Sequence, residues 1–370
     1  MAPAVPSPSP SPSPSPSLEL VRSVTDEHVL RALMRHRRLT RAELATEIGI
    51  SKPTAGESVR RLTERGLLAD TGERTPGGRG KGRVGSYYAL APAIGTALAV
   101  TITPAGVVAE CVDVYGDTVA RATRQPTEPN QVAAALTAAV AEIRTGETRL
   151  AVVGAADPVD RATGRLVHLP DAPFLVGELD PAAILGPGPV IVDNDVNWAA
   201  LAERDTAADF AYLYLDEGLG CAIVNDGAVR RGHHGLTGEI AHLLTTGPDG
   251  RAVRLIELFG ELGLRRPGST AIDVDRLLAS PPAIHAILGT AVAGAIAAVI
   301  ALADPQEIVV GGRWGPALLD HIRSATARLP RRVSLRPTRV TSEPVLTGVR
   351  AEALGRLRDL ITAGDTPGRP

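Results

Sequence analysis

Residues 40–68 read TRAELATEIGISKPTAGESVRRLTERGLL, the pattern of two short helices separated by a turn of fixed chemistry. Thr40 followed three residues later by Glu43 makes a capping box: the hydroxyl meets a first-turn amide and the carboxylate reaches back to the cap, so a helix starts at Arg41. Leu44, Ala45 and Ile48 form its apolar face, and Gly49 supplies the positive φ with which the chain leaves it. Ile50 fills the corner. Ser51 caps the next helix, and Pro53 falls in its first turn, where a missing amide hydrogen costs little. This helix runs to about Arg65, with Val59 and Leu62 inward and Leu67 and Leu68 beyond. Lys52, Thr54, Glu57, Arg60 and Arg61, with the capping Thr40 and Ser51, are left available to a partner. A helix-turn-helix lays such a second helix in the major groove of DNA, its N-terminal half near the base edges. A helical hairpin that merely packs is the plainer alternative.

The flanking sequence favours DNA. Residues 69–90, ADTGERTPGGRGKGRVGSYYAL, have the form of a β-hairpin wing with a Gly-rich basic tip, where Arg79, Lys81 and Arg83 sit on a backbone free to follow a groove. Arginine on such a tip suits a narrow minor groove, whose negative potential is strongest; a solvated basic loop is the alternative. On the other side a first helix starting at Thr25, with Val24 and Val29 as a hydrophobic staple and Leu30 and Leu33 turned toward its neighbours, completes a three-helix core.

At 370 residues and 44% hydrophobic the chain has room for two or three packed domains. Residues 18–90 hold 14 Lys/Arg against 9 Asp/Glu, or +5, and with −2 overall the remainder carries −7. The N-terminal module alone is suited to phosphate. Cys111 and Cys221 sit in apolar, strand-like runs without a CxxC or Cys/His cluster, which points to neither disulfides nor zinc and fits a reducing cytoplasm. Residues 1–17 alternate Pro and Ser without a basic start or apolar centre, the composition of a disordered, partly polyproline II tail rather than a signal peptide or anchor. Residues 284–303 are apolar and Ala-rich, but His285 and the small side chains favour a buried helix over a membrane span.

Past the wing, runs 98–103, 107–114 and 118–123 read as three strands, followed by helix 131–143, strand 150–154, strand 190–192 and helix 198–203. The order then starts again: strands 210–215, 221–225 and 228–230 with a turn at Asp226 and Gly227, a long helix from Ile284, strand 307–310 and a Gly-Gly turn. Two halves that each open with an antiparallel triplet and continue as helix-strand units suggest a duplicated α/β fold with a cleft between lobes. Ligands of such folds bind at the carboxyl ends of strands.

Asp193, Asn194, Asp195 and Asn197 follow strand 190–192, a dense set of donors and acceptors able to read several sugar hydroxyls; helix capping needs just one of them. In GHHGLTGEIAH, residues 232–242, Glu239 and His242 are spaced to share a helix face, and Gly232, Gly235 and Gly238 allow close backbone approach. A lone helical histidine is more often an ordinary satisfied polar residue than a ligand-binding one.

The winged helix, DNDVNWAALAE (193–203), LDEGLGCAIVNDGAVRRGHHGLTGEIAH (215–242) and DPQEIVVGG (304–312) together resemble the ROK family of repressors and sugar kinases, over nearly everything after the Pro/Ser tail; residues 156–175 resemble the loop preceding the family's sugar site. The resemblance implies an α/β chain in which a winged helix-turn-helix precedes a two-lobed, actin-like (ribonuclease H-like) sugar kinase fold. It makes Asp195 the match to the catalytic base, Asn194, Glu239 and His242 sugar-contacting residues, and Glu257 a further hydroxyl acceptor. Departures then decide the function. Kinases of the family carry an Asp-Gly-Gly-Thr type turn after the first strand, serving magnesium and nucleotide phosphates; here residues 98–106 read LAVTITPAG, with Thr101 and Thr103 where Asp and Gly are expected. GRGKGR around Lys81 is no P-loop, lacking the GK[ST] ending. The family's structural zinc site is gone, since residues 242–257 read HLLTTGPDGRAVRLIE, and His242 alone cannot hold the ion. Asp171 stands where Asn is common, Ala241 replaces a Gly, and Ala55, Gly56 and Ser58 are small or polar where the recognition helix usually has bulkier residues.

The sequence thus reads as a disordered tail (1–20), a winged helix-turn-helix (21–90), two ROK lobes (91–205 and 206–362) and a short tail (363–370). The expected protein is a cytoplasmic, sugar-responsive DNA-binding regulator, a repressor, without kinase activity, metal or cofactor. Its partners are double-stranded operator DNA, a sugar or sugar-derivative effector and further copies of itself, with no membrane. The alternatives are an ATP-dependent sugar kinase with an appended DNA-binding domain, and a regulator that has lost its small-molecule ligand.

Overall fold

The computed structural model describes residues 16–76, 84–126, 129–144, 146–167, 179–204 and 207–363. The chain divides into two compact units, Met1–Gly95 with Arg356–Pro370, and Thr96–Gly355.

The first unit is built from α1 (Pro16–His36), β1 (Arg38–Thr40), α2 (Arg41–Ile48), α3 (Lys52–Glu64), β2 (Leu68–Arg74) and β3 (Ser86–Leu90). α1 opens at Pro16 and not at Thr25, because nothing in residues 17–24 stops a helix and proline is tolerated in a first turn. Thr25 therefore lies mid-helix with its hydroxyl donated to the Val21 carbonyl at 2.8 Å, and Val24 stays exposed instead of stapling the helix. The helix also takes in residues 16–20, which composition assigns to the tail. The capping box forms: Thr40 Oγ1 accepts from the Glu43 amide at 3.2 Å and Glu43 Oε2 from the Thr40 amide at 2.8 Å. Gly49 turns the chain at φ 70°, and Ser51 accepts from the Thr54 amide at 3.2 Å to start α3. Leu30, Leu33, Leu44, Val59, Leu62 and Leu67 are all buried. β1, too short to mark itself in sequence, pairs with β3, which pairs with β2 as the wing. The wing tip with Arg79, Lys81 and Arg83 lies outside the described residues.

The second unit opens with β4 (Thr96–Thr103), β5 (Gly106–Val112) and β6 (Thr118–Arg124), followed by α4 (Val132–Ile143), β7 (Thr148–Ala155), α5 (Pro181–Leu185), β8 (Val190–Asn194) and α6 (Asp195–Leu201). It begins again with β9 (Phe210–Leu215), β10 (Leu219–Asn225) and β11 (Ala228–Val229). After these come the hairpin β12 (Leu244–Thr246) and β13 (Ala252–Arg254), helices α7 (Leu255–Glu261), α8 (Val274–Leu278) and α9 (Pro282–Ala303), then β14 (Glu307–Gly311), α10 (Leu319–Thr326), β15 (Ser334–Pro337) and α11 (Pro344–Thr362). The two five-stranded sheets run β6-β5-β4-β7-β8 and β11-β10-β9-β14-β15. In both, the first three strands are antiparallel and the last two are parallel to the first, so the duplication is a matter of topology as well as element order. The apolar helix α9 has the length to cross a membrane; half of it is buried, with Leu288, Val292 and Ile296 in one core with Leu213, Ile308 and Val310. The last turns of α11, from Arg356, count with the first unit, where Leu357 and Ile361 are fully buried.

Candidate functional site

A cleft of about 580 Å³ in the second unit is lined from both sheets at the carboxyl ends of their parallel strands: Thr103 at the end of β4, Asp157 after β7, Asn194 and Asp195 at the end of β8, Asp216 after β9 and Arg313 after β14. That is where an α/β sheet leaves a crevice for ligands. Glu239 and His242 line it too, so four of the five sequence-predicted sugar residues come together. Glu257 does not join them: it stands exposed on α7 and accepts from Arg254 at 3.3 Å.

The polar run after β8 divides its work. Asp193 and Asn197 are buried; Asp193 accepts from the Asn197 amide group at 2.7 Å and from Arg231 Nε at 2.6 Å, tying β8 to the segment after β11. Asn194 caps α6, its Oδ1 accepting from the Val196 amide at 3.0 Å while its Nδ2 donates to the Asp157 carbonyl at 3.3 Å. That cap is why α6 opens at Asp195 and not at Trp198. Asp195, at the first helical position, is recessed in the cleft, and burial with the nearby Glu239 and Asp157 carboxylates pushes it up to about 7. Burial also raises Glu239.

Glu239 does not share a helix face with His242; it precedes a single 3-10 turn, Ile240–His242. The glycines before it allow close approach to the protein's own backbone: a Cβ on Gly238, at φ +99°, would stand 1.7 Å from the Cys221 carbonyl oxygen, and one on Gly235 would stand 2.2 Å from that of Val159. Gly238 in turn accepts from the Cys221 amide at 2.9 Å, fixing Glu239 beside β10. Burial pushes the Cys221 thiol up to about 12, which disfavours its thiolate near neutral pH. The turn after β4 places Thr103, Pro104 and Ala105 on the cleft, while Thr101 is buried in the strand. Asp171 lies outside the described residues.

Sequence reading missed Asp157, Asp216, Glu217, Arg266 and Arg313 as cleft residues. All but Arg266 sit immediately after or near strand carboxyl ends, a signal that was available.

On the helix-turn-helix, α3 presents Ser51, Lys52, Thr54 and Glu57 to solvent at its N-terminal half. Ser51 and Thr54 join hydroxyls at 2.8 Å. Arg60 is held by two glutamates of its own helix, Glu57 and Glu64, each with a 2.6 Å contact. Two predicted contacts are structural instead. Thr40 is buried with its hydroxyl committed to the cap. Arg61 donates to the buried Asp26 of α1 at 2.6 Å, and Ser58 donates to the same carboxylate. The small polar Ser58 is thereby explained: a bulkier apolar residue would leave Asp26 with one fewer donor.

The first unit is thus a winged helix-turn-helix and the second a two-lobed, actin-like α/β fold. Residues 22–69 match the model for winged helix-turn-helix DNA-binding domains, and residues 106–253 match that of the ROK family. The chain carries a ROK family domain behind a DNA-binding module of the winged type. Its fold is shared with a ROK family transcriptional regulator, a homolog of the E. coli MLC protein, at TM-score 0.58 and 18% identity over 93% of this chain and all of that one. A ROK family glucokinase from Streptomyces griseus, solved with glucose and AMPPNP, gives TM-score 0.53 at 23% identity over 70% of this chain and 99% of its own. In sequence, the bifunctional enzyme NanE/NanK of Brucella suis is 32% identical over 158 residues, 39% of this chain, and the match spans 30% of that enzyme's length. The glucokinase of Streptomyces coelicolor is 32% identical over 132 residues, 34% of this chain and 41% of the enzyme.

Proposed function

We propose that the protein is a sugar-responsive transcriptional regulator of the cytoplasm, a repressor that binds operator DNA as a homodimer or higher homo-oligomer and has no kinase activity. The observation that carries this reading is the pairing in one chain of a capped, exposed recognition helix with a cleft whose polar residues are Asn194, Asp195, Glu239 and His242. Thr101 and Thr103 stand where the family resemblance leads one to expect the Asp and Gly that serve metal and phosphate in phosphoryl transfer, which supports a chain without kinase activity. Lys52, Thr54 and Glu57 are the candidate base-edge readers, and Arg79, Lys81 and Arg83 the groove-following cations of the wing. Sugar binding in the cleft shifts the chain between two states of different DNA affinity, and the coupling equals the ligand's difference in affinity for those states.

Fluorescence anisotropy with the protein's own upstream DNA and a scrambled duplex, titrated against a panel of monosaccharides, tests this directly. Preference for its own duplex, lost or altered with one sugar, is expected; equal binding to both duplexes refutes it. Glu239→Gln should weaken the sugar response and leave DNA affinity intact. Arg79→Ala with Arg83→Ala should weaken binding to all sequences and flatten the salt dependence. A kinase reading draws support from Asp195, whose value of about 7 suits a general base. ADP release across the same panel separates the two readings.

A further inference from the structure

The second-sheet wall of the cleft holds a charge cluster that sugar recognition leaves unused. β9 and β14 are parallel neighbours, and the turns leaving them meet at the carboxyl ends of both strands, where backbone N–H groups of such turns make anion seats. In this protein the seat is filled from within. Asp216 Oδ1 accepts from the Glu217 amide at 2.9 Å and from Arg313 Nε at 2.7 Å, and its Oδ2 accepts from the Arg313 amide at 3.1 Å. Glu217 Oε1 accepts from Arg313 at 2.7 Å and from Arg266 at 2.6 Å. The side chains of Asp216 and Glu217 are 13% and 21% exposed, while both arginines, which line the cleft, are about half exposed.

We propose that Asp216 is a built-in anion: with Glu217 it occupies the seat and neutralises Arg266 and Arg313, so that the cleft rejects phosphate-bearing ligands and takes an unphosphorylated, uncharged or cationic polyol. The geometry of the seat is one half of the case, and the remaining lining is the other. Asp157, Asp195 and Glu239 add further carboxyl groups, against which the lining offers His242 and the two arginines already paired. Above the value of about 7 to which Asp195 is pushed, a phosphate entering there meets like charge in the cleft. The nature of the effector rests on the sugar-responsive reading above; the exclusion of anions rests on the seat and the charge of the lining.

Calorimetric titration of the full chain at pH 8 with inorganic tripolyphosphate, with magnesium ADP, and with each hexose beside its 6-phosphate tests both halves. The wild type should show no binding of tripolyphosphate or ADP, and any hexose that binds should do so at least about tenfold tighter than its 6-phosphate. Asp216→Ala combined with Glu217→Gln vacates the seat and frees both arginines, and should gain tripolyphosphate affinity by about tenfold or more. If circular dichroism shows that this variant is unfolded, Glu217→Gln alone, which frees Arg266, is read the same way. Tripolyphosphate or ADP binding by the wild type, tighter binding of a 6-phosphate, or a folded variant that gains no anion affinity overturns the proposal. Should no hexose bind at all, the sugar reading falls while the tripolyphosphate comparison still decides whether the seat is closed.

Discussion

The two five-stranded sheets of the second unit have the same strand order and the same sense, yet their corresponding turns treat charge in opposite ways. The first strand of each is buried almost throughout and turns alternate side chains into one core cluster: Leu98, Val100 and Ile102 in β4, and Ala211, Leu213 and Leu215 in β9. The turn after β4 then brings Thr103, Pro104 and Ala105 to the cleft, whereas the turn after β9 brings Asp216 and Glu217, both bound to arginines. Hydrophobic alternation sets a topology that recurs in both halves. What each half can bind is set by turn residues that the core leaves free to change.

The largest effects expected from testing this comparison come from glycines that no side chain can replace. Gly238→Ala places a Cβ 1.7 Å from the Cys221 carbonyl at φ +99°, and should cost about 3 kcal/mol or more in urea unfolding, with loss of sugar binding. In the first half Gly106→Ala meets the Arg124 carbonyl at 2.3 Å and φ +125°, and should cost about 2 kcal/mol without touching Glu239. If the first-half change proves the more damaging, the second half is not the more tightly constrained.

Asp195 comes next. Its folded value of about 7 lies above the ordinary 3.8, so the folded protein holds a proton that the unfolded chain has released. Stability should therefore fall as pH rises from about 4 to about 7, then level off. Asp195→Asn removes that penalty, and thermal unfolding should show the variant ahead of wild type by about 2 kcal/mol at pH 8 and equal to it at pH 4. Glu239, raised in the same direction, keeps a residual slope in the variant. Arg313→Ala, which leaves Asp216 and Glu217 short of a partner, should cost about 1 kcal/mol by urea unfolding; no loss would mean the second turn holds its shape without the arginine. Outside both sheets, Gly56→Ala sets the scale: the nearest atom to its Cβ is Arg41 Cδ at 3.8 Å, so the helix-turn-helix should gain about 0.5–1 kcal/mol.

Local chemistry made the helix-turn-helix legible. Thr40 with Glu43, Gly49, and Ser51 with Pro53 each act within a few residues, and each appears where the sequence places it. The strand triplets were legible for a similar reason, since alternation is a local pattern. What stayed hidden depends on residues far apart in the chain. Arg61 looks like a groove contact until Asp26, 35 residues earlier, comes to lie beneath it. Asp216 and Arg313, 97 residues apart, meet because β9 and β14 pair. Glu257 failed in the opposite way: it lies near His242 in sequence, but its helix turns it toward Arg254. The start of α1 was obscured because a Pro/Ser-rich composition masks a first turn that proline can enter.

α6 has a cleft residue at one end and an anchor at the other. Asp195 opens the helix, and just past its end Glu203, buried, receives Arg336 at 2.8 Å, the Thr338 hydroxyl at 2.6 Å and the backbone amides of Arg339 and Val340 at 2.7 and 3.0 Å. A rod of seven residues, roughly 10 Å long, is too short to bend, so a push on its tip is delivered whole to its foot. The amides of Arg339 and Val340 thereby become reporters: their resonances should move on addition of a cleft ligand in the wild type and stay still in Glu203→Ala.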